Sequence, residues 1–259
     1  GATTQGLGEV LRTIVERPAG TPPEILVGLG GSASTDGGTG LLTALGARFL
    51  DATGAPLPPG GGSLRRLARI DWSGLVRPGP ITVLSDVTAP LLGAEGAAAV
   101  FGPQKGATEA DIEALDAGLA RLADVVGADP WQPGMGAAGG TAYALVGALQ
   151  ARLVPGAPYV AAATGLVTAA RSADVLITGE GKVDATSDLG KTVGHALGLA
   201  GPSQRIVIGG AIDTAPAGCR AYSLTDLAGS THAAMGDPQR WLIEAGRRAA
   251  TDVADEPAS

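Results

Sequence analysis

Apolar residues recur along this chain with two alternating periods, and the switching between them predicts an α/β protein. Over Thr4–Arg17, Leu7, Val10, Leu11, Ile14 and Val15 keep helical spacing, and Pro18 with Pro22 and Pro23 ends the pattern. Glu24–Val27 then reads as a strand that empties into GLGGSASTDGGTG at Gly28–Gly40. Leu41–Leu45 predicts a short helix, and Ala47–Leu50 a strand turning at Asp51–Gly54. Pro56–Gly62 is a surface loop, after which Ser63 is placed to cap a helix with Leu64 and Leu67 inward and Arg65, Arg66 and Arg69 on a solvated face. Ile81–Leu84 forms a second strand and delivers Ser85 and Asp86 into Val87–Gly93, repeating the plan of the first loop. A helix follows Gly96, and Thr108 with Asp111 starts an amphipathic helix over Glu109–Val126. The turn Gly134–Gly140 opens a small-residue helix that runs to Leu149.

The last third alternates between strand and helix. Val175–Thr178 is a strand, Gly179–Asp188 a loop, and the chain then forms a helix to Leu199, strands at Ile206–Ile208 and Ala221–Leu224, and a helix over Pro238–Val253. That order predicts a parallel sheet with ligands at the carboxyl ends of its strands, where Gly179–Asp184 falls. The expected division is 1–172 for a mixed-sheet α/β lobe and 173–259 for the parallel-sheet lobe. Because a helix precedes the first strand, the sheet lacks an earlier partner, and an unpaired edge or a covering homodimer is expected.

Composition narrows the function. The 259 residues are 45% hydrophobic but only 3% aromatic and include 42 glycines, so the core must be built from Ala, Val, Leu and Ile in close strand-helix packing. A net charge of -7 argues against nucleic acid or an anionic membrane as partner and leaves small molecules. The single cysteine, Cys219, makes no intrachain disulfide, and with only His195 and His232 there is no zinc spacing. A reducing cytoplasm fits, no apolar run nears the roughly 20 residues of a membrane helix, and no signal peptide is read before the first helix.

Gly28–Gly40 reads as a ligand cradle: glycines let the backbone approach a bound group, Ser32, Ser34 and Thr35 offer hydroxyls, and Asp36 a carboxylate before the next helix. It also reads as a plain strand-to-helix connection. Gly28, Gly30 and Ala33 satisfy the dinucleotide pattern G-x-G-x-x-G/A, but a helix opening at Gly30 would carry Gly37 and Gly38 in its first turns, against helix propensity. Gly190-Lys191-Thr192 resembles the end of a P-loop, yet Ala185 stands where the first glycine is required. Acids recur after strands at Asp36, Asp86, Glu180 and Asp184; each taken singly is also an ordinary turn or cap residue. Phosphoryl transfer needs such groups, as magnesium ligands beside phosphate oxygens or as acceptors of a hydroxyl proton. Of the 18 basic residues only Lys105, Lys182 and Lys191 are lysines, and all three lie in glycine-flanked segments where a compact ammonium suits an anion.

In order, GLGGSASTDGG at Gly28, SDVTAPLLG at Ser85, FGPQKGAT at Phe101, GAAGG at Gly136 and DVLITGEGKVDATSDLGK at Asp174 resemble the bacterial glycerate kinase family of the first type, over nearly the whole chain. The resemblance implies a flavodoxin-like lobe and a mixed-sheet lobe, with ATP and glycerate in the cleft between them and magnesium-dependent phosphorylation of glycerate. Asp86 directly follows an apolar strand and is read as the catalytic carboxylate that either holds magnesium or accepts the glycerate hydroxyl proton, with Asp184 next in line, while Lys105 or Lys182 balances phosphate charge and Glu180 supports the metal. Binding is implied for Gly30, Gly31, Ser32, Asp36, Ser85, Gln104, Gly179, Glu180, Gly181, Lys182 and Lys191. Ala89 precedes Pro90 where the family reads Asp-Val-x-Asn-Pro-Leu, and the family's opening Asp-Ser-Phe-Lys-Gly and Ala-Asp-Gly-Gly-Glu-Gly motifs have no counterpart. A truncated or non-catalytic homologue and a dinucleotide-binding protein stand as the alternatives.

Overall fold

A computed structural model describes residues 1–16, 24–184, 192–199, 201 and 204–255. The chain divides into two compact units, Gly1–Gly156 and Ala157–Ser259, so the division falls before the expected 172/173 boundary.

In the first unit, helix α1 (Gln5–Val15) leads to strand β1 (Ile25–Gly28), helix α2 (Thr39–Ala44) and strands β2 (Arg48–Leu50) and β3 (Arg69–Asp71). Strand β4 (Ile81–Leu84), helices α3 (Ala97–Phe101), α4 (Glu109–Val126) and α5 (Ala137–Leu149) and strand β5 (Arg152–Val154) complete it. The sheet order is β1-β4-β5, all parallel, with Ile25 opposite Ile81 and Thr82 opposite Arg152. β2 and β3 form a separate antiparallel pair, Phe49 opposite Ile70, so this unit carries parallel and antiparallel strands in two sheets. Val83 on the central strand is fully buried, and the core around it gathers Leu41, Leu42, Leu45, Leu91, Leu119, Leu122 and Leu145. Phe49 and Tyr143 are buried aromatics in this largely aliphatic interior; the Tyr143 hydroxyl donates to Ala128 O at 2.8 Å, and burial pushes the phenol pKa up to about 12.

The α4 start is as read from the sequence: Thr108 accepts from Asp111 N–H while the Asp111 carboxylate accepts from Thr108 N–H, a reciprocal cap. Ser63 is a correction. It lies inside a 3₁₀ turn, Gly61–Arg66, and its hydroxyl donates to Pro58 O at 2.7 Å, so it closes the preceding proline loop and caps no helix. Three residues after that turn the chain is already extended as β3, which the arginine-rich pattern concealed.

The second unit carries helices α6 (Gly156–Ala163) and α7 (Leu166–Ser172), strand β6 (Val175–Val183), helix α8 (Thr192–Leu199), strands β7 (Gln204–Ile212) and β8 (Arg220–Ser223), and helices α9 (Leu224–Ala228), α10 (Thr231–Gly236) and α11 (Pro238–Ala254). The sheet is β6-β7-β8, parallel throughout. Ile206 and Val207, neighbours on β7, are both fully buried, as a strand covered on both faces requires. Edge strand β6 leaves Ile177 58% exposed. Sequence periodicity stopped this strand at Thr178; pairing with β7 carries it on through Gly179–Val183, so those residues are strand where a loop was expected. The expected loop residues 185–188, and the prolines expected to end α1, lie outside the described residues. Among the described residues no helix is long and apolar enough to cross a membrane.

α1 packs on α2 at a backbone contact. A Cβ on Gly8 would meet Leu41 O at 2.4 Å and Leu41 Cα at 2.7 Å, whereas one on Gly6 would meet nothing within 4 Å. Gly8→Ala therefore gains up to about 1 kcal/mol of helix propensity but incurs an overpacking cost of roughly 1–3 kcal/mol against atoms that cannot move cheaply. Urea melts should show Gly8→Ala destabilised and Gly6→Ala neutral or stabilised by up to about 1 kcal/mol.

Candidate active site

Two of the loops singled out in the sequence leave the same end of one sheet. Gly28, the last residue of β1, pairs with Leu84, the last of β4, and the ladder continues one step through Leu29 N–H to Leu84 O at 2.9 Å. β4 is likewise followed by Ser85 N–H to Val154 O at 3.1 Å. The first unit thus brings the Gly30–Asp36 loop and Ser85-Asp86 to the carboxyl ends of adjacent parallel strands, the position ligands favour on such sheets.

Asp36 organises the first loop. It is fully buried, and its carboxylate accepts from Thr3 Oγ1, Thr4 N–H, Thr4 Oγ1, Gly38 N–H and Gly40 N–H at 2.9–3.2 Å. Thr4 Oγ1 in turn accepts from Leu41 N–H at 2.9 Å, so the starts of α1 and α2 meet on this one side chain. The sequence offered Asp36 as a ligand contact; its oxygens are instead engaged by the fold. The glycines beside it serve close approach. A Cβ on Gly38 would lie 2.3 Å from Ala144 Cβ, and Gly37 donates to Gly139 O. Gly139 is the counterpart on α5, where Ala138, Gly139 and Gly140 turn left-handed in succession and a Cβ on Gly139 would fall 2.1 Å from Ser34 O. Thr3, Thr4 and Gly139 escaped the sequence reading: the threonines look like an ordinary helix start, and only the run of small residues at Gly136–Gly140 hinted at close backbone packing.

Lys105 reaches the same loop from a 3₁₀ turn, Pro103–Lys105. Its Nζ donates to Ser34 O at 2.6 Å and to Ser32 Oγ at 3.0 Å. The ammonium is half-buried; desolvation holds its pKa below the usual lysine value, opposed by the charge of Asp36. Ala33, Thr35, Gly102, Lys105 and Asp111 line a cavity of about 310 Å³. Gly30, Gly31 and Gln104 are exposed nearby in sequence. Asp86 is exposed at the end of β4, and its Oδ1 accepts from Gly156 N–H at 2.9 Å. Ser85 Oγ accepts from Val87 N–H at 3.2 Å, closing the turn beside it.

In the second unit the glycine motif does a different job from the cradle expected of it. Gly179 lies opposite Ile208, and a Cβ there would meet Ile208 O at 2.3 Å; one on Gly210 would meet Gly181 O at 2.4 Å. The glycines let β6 and β7 approach. Lys182 is exposed and pairs with Asp213 at 2.8 Å, which raises its pKa, first through that hydrogen bond and then through the Asp213 charge. Glu180 sits mid-strand opposite Gly209 with Oε1 buried and without a hydrogen-bond partner, and Asp184 follows the strand end. Lys191 lies outside the described residues. Among the described residues no three His, Cys, Asp or Glu side chains cluster as a metal cage.

A model of the Glycerate kinase family matches residues 1–254. The chain is 41% identical over 198 residues to the glycerate kinase of Bacillus subtilis strain 168, covering 73% of this chain and 51% of that protein. It is 40% identical over 238 residues to the glycerate 2-kinase of Escherichia coli strain K12, covering 89% of this chain and 59% of that protein. A crystal structure from Salmonella typhimurium LT2, of a protein provisionally named glycerate kinase 2, superposes with a TM-score of 0.68 at 37% identity over 96% of this chain and 70% of that one. The chain thus spans about half the length of the curated relatives it matches.

The Asp36 network predicts a stability effect. Asp36→Asn keeps the shape but turns an amide N–H₂ toward groups that are themselves donors and removes the charge from the remaining bonds. The loss should be about 2–4 kcal/mol in urea unfolding at neutral pH. A variant within about 0.5 kcal/mol of wild type would show that the network contributes no more than surface bonds do.

Proposed function

Because this chain belongs to the glycerate kinase family, we propose that the full-length protein transfers the terminal phosphoryl group of ATP to a hydroxyl of glycerate. The observation that carries the proposal is local to the first unit: a carboxylate, Asp86, and a half-buried ammonium, Lys105, stand on segments gathered around the carboxyl ends of β1 and β4. Phosphoryl transfer asks little covalent chemistry of a protein and depends on positioning and charge. Asp86 accepts the proton of the attacking hydroxyl, with Asp184 the next carboxylate for that role. Gly30, Gly31, Ser32, Ser85 and Gln104 contribute contacts through backbone N–H groups, hydroxyls and an amide. Asp36 holds the loop that presents them.

Magnesium fits the donors available without a preformed cage, since this ion is commonly held by one or two carboxylates together with substrate phosphates. Glu180, whose Oε1 is buried with no partner, is the residue we assign to it. When bound, the ion would neutralise charge on the transferring group. Lys182, already paired with Asp213, contributes less than the sequence implied. The net negative charge and the single cysteine accord with a cytoplasmic enzyme of small organic acids.

Purified full-length protein with ATP, magnesium and D-glycerate should release ADP and phosphoglycerate in a coupled assay. No turnover under those conditions would favour the non-catalytic homologue. Asp86→Asn is near-isosteric and keeps an acceptor for Gly156 N–H, so circular dichroism should be unchanged while kcat falls by a factor on the order of 10² or more. Full turnover by that variant would move the base assignment to Asp184.

A further inference from the structure

The amino end of α5 is shaped in a way that a helix does not need. Ala138, Gly139 and Gly140 follow one another in the left-handed region, at φ 52°, 66° and 86°. Left-handed backbone is unfavourable for any residue with a Cβ, and Ala138 adopts it all the same. Strain of this kind persists only where the surroundings hold it. Here the surroundings are the loop that carries Ser34. Gly37 N–H donates to Gly139 O at 3.0 Å. Gly139 lies so close to the Ser34 carbonyl that a Cβ there would come within 2.1 Å of Ser34 O and 2.7 Å of Thr35 Cα. Gly140 approaches the same loop, its Cβ position 2.9 Å from Gly37 Cα. The turn therefore meets the loop on both sides of Thr35 and Asp36. Ser34 O is also the oxygen to which Lys105 Nζ donates at 2.6 Å, a shorter bond than the 3.0 Å to Ser32 Oγ.

We propose that the left-handed turn at Ala138–Gly140 is a positioning element for Lys105, acting through the Ser34 carbonyl that it backs. The proposal rests on the phosphoryl-transfer reading above, in which Lys105 brings positive charge to the site. Asp36 anchors the segments at the ends of the loop, and the α5 turn sets the peptide between them. A lysine ammonium rides on a flexible four-carbon stem and goes where its acceptors are. Ser34 is buried, as are Thr35 and Asp36, so its carbonyl has little freedom once Gly139 closes one side. A side chain at position 139 would take the space of the oxygen that Lys105 uses. Phosphoryl transfer depends on positioning and charge, so a small displacement of that oxygen bears directly on rate.

The test pairs Gly139→Ala with Gly46→Ala. Gly46 also takes positive φ, 108°, and a Cβ there would also meet a carbonyl oxygen at 2.1 Å, that of Gly74, in the turn between α2 and β2. Both variants carry the same two defects, and both should lower the urea midpoint. Only Gly139→Ala touches Ser34. In full-length protein it should lower kcat/KM for D-glycerate about tenfold or more, but less than about threefold when K105Q is already present, because the lysine it acts through is gone. Gly46→Ala should change kcat/KM by one factor in both backgrounds. Lys105 also reports without turnover, through carbon-13 at the lysine ε-position, its signal assigned by loss in K105R. Gly139→Ala should move the Lys105 pKa up toward the ordinary lysine value, by about half a pH unit or more, since release from the loop returns the ammonium to solvent. Gly46→Ala should leave it in place. Equal factors for Gly139→Ala in the two backgrounds, or a Lys105 pKa that stays or falls, overturn the proposal. Should Gly139→Ala not fold, hydrogen exchange decides. K105Q should speed exchange of Gly37 N–H, the donor to Gly139 O, about threefold or more, because the coupling is reciprocal, and an unchanged rate overturns the proposal. Wild-type protein that turns over no glycerate overturns the kinase reading by itself; the titration and the exchange rate then still decide the coupling of the turn to Lys105.

Discussion

One buried carboxylate sets the constraint that the first unit satisfies. An ionised group enclosed in a protein interior is tolerated only when its lone pairs are met, and Asp36 meets them with two threonine hydroxyls and three backbone N–H groups. Each donor belongs to a helix start, where backbone N–H groups have no partner inside the helix. The same oxygens therefore settle the orphan donors of α2 and anchor the residues before α1. The intervening loop has fixed ends as a result. A loop fixed in this way can present Ser32 and the Ser34 carbonyl at one place, which a free glycine-rich segment could not do without an entropic cost.

Glycine serves two ends here, sometimes both at one position. At Gly37, Gly38 and Gly139 positive φ and close approach coincide, since a Cβ would also clash with Leu122, Ala144 and Ser34 O respectively. At Gly179 and Gly210 the gain is proximity alone: each lies where a Cβ would overlap a neighbouring carbonyl oxygen. Sequence alone cannot tell these cases apart, because both read as G. The Gly179–Lys182 motif shows the difference most clearly, as its glycines serve the β6–β7 contact within a strand.

Much of the architecture was legible for reasons that can be named. α4 was placed to the residue because a reciprocal cap and an αL glycine bracket an amphipathic run, and β1 and β4 because short β-branched stretches end in turn residues. What escaped was short or set by partners. β3 and β5 are three residues each, too brief for a period to emerge. β6 runs past Thr178 because β7 pairs with it, a property of the neighbour that its own sequence does not encode. At the site, Lys105 stood out through its rarity, and its meeting with Ser32 and Ser34 spans more than seventy positions that no local pattern bridges. Asp36 stood out in the sequence, but not the direction it faces, because a carboxylate among glycines looks the same whether it faces a ligand or, as here, the interior.

The parallel order β1-β4-β5 also bears on how the chain folds during synthesis. Ile25 waits for Ile81, and Thr82 waits for Arg152, so each pairing closes a long loop before any ladder bond compensates for it. The contacts of Asp36 with Thr3, Thr4, Gly38 and Gly40 are nearer in sequence, so they are available far sooner on the ribosome. The helix-start cluster is then in place as a template while the sheet is still unfinished, and only the emergence of Val154 lets the central strand acquire its second neighbour. The carboxyl ends of β1 and β4 are therefore completed late in the synthesis of this unit, and a pause in translation before residue 154 would hold β4 with one edge open.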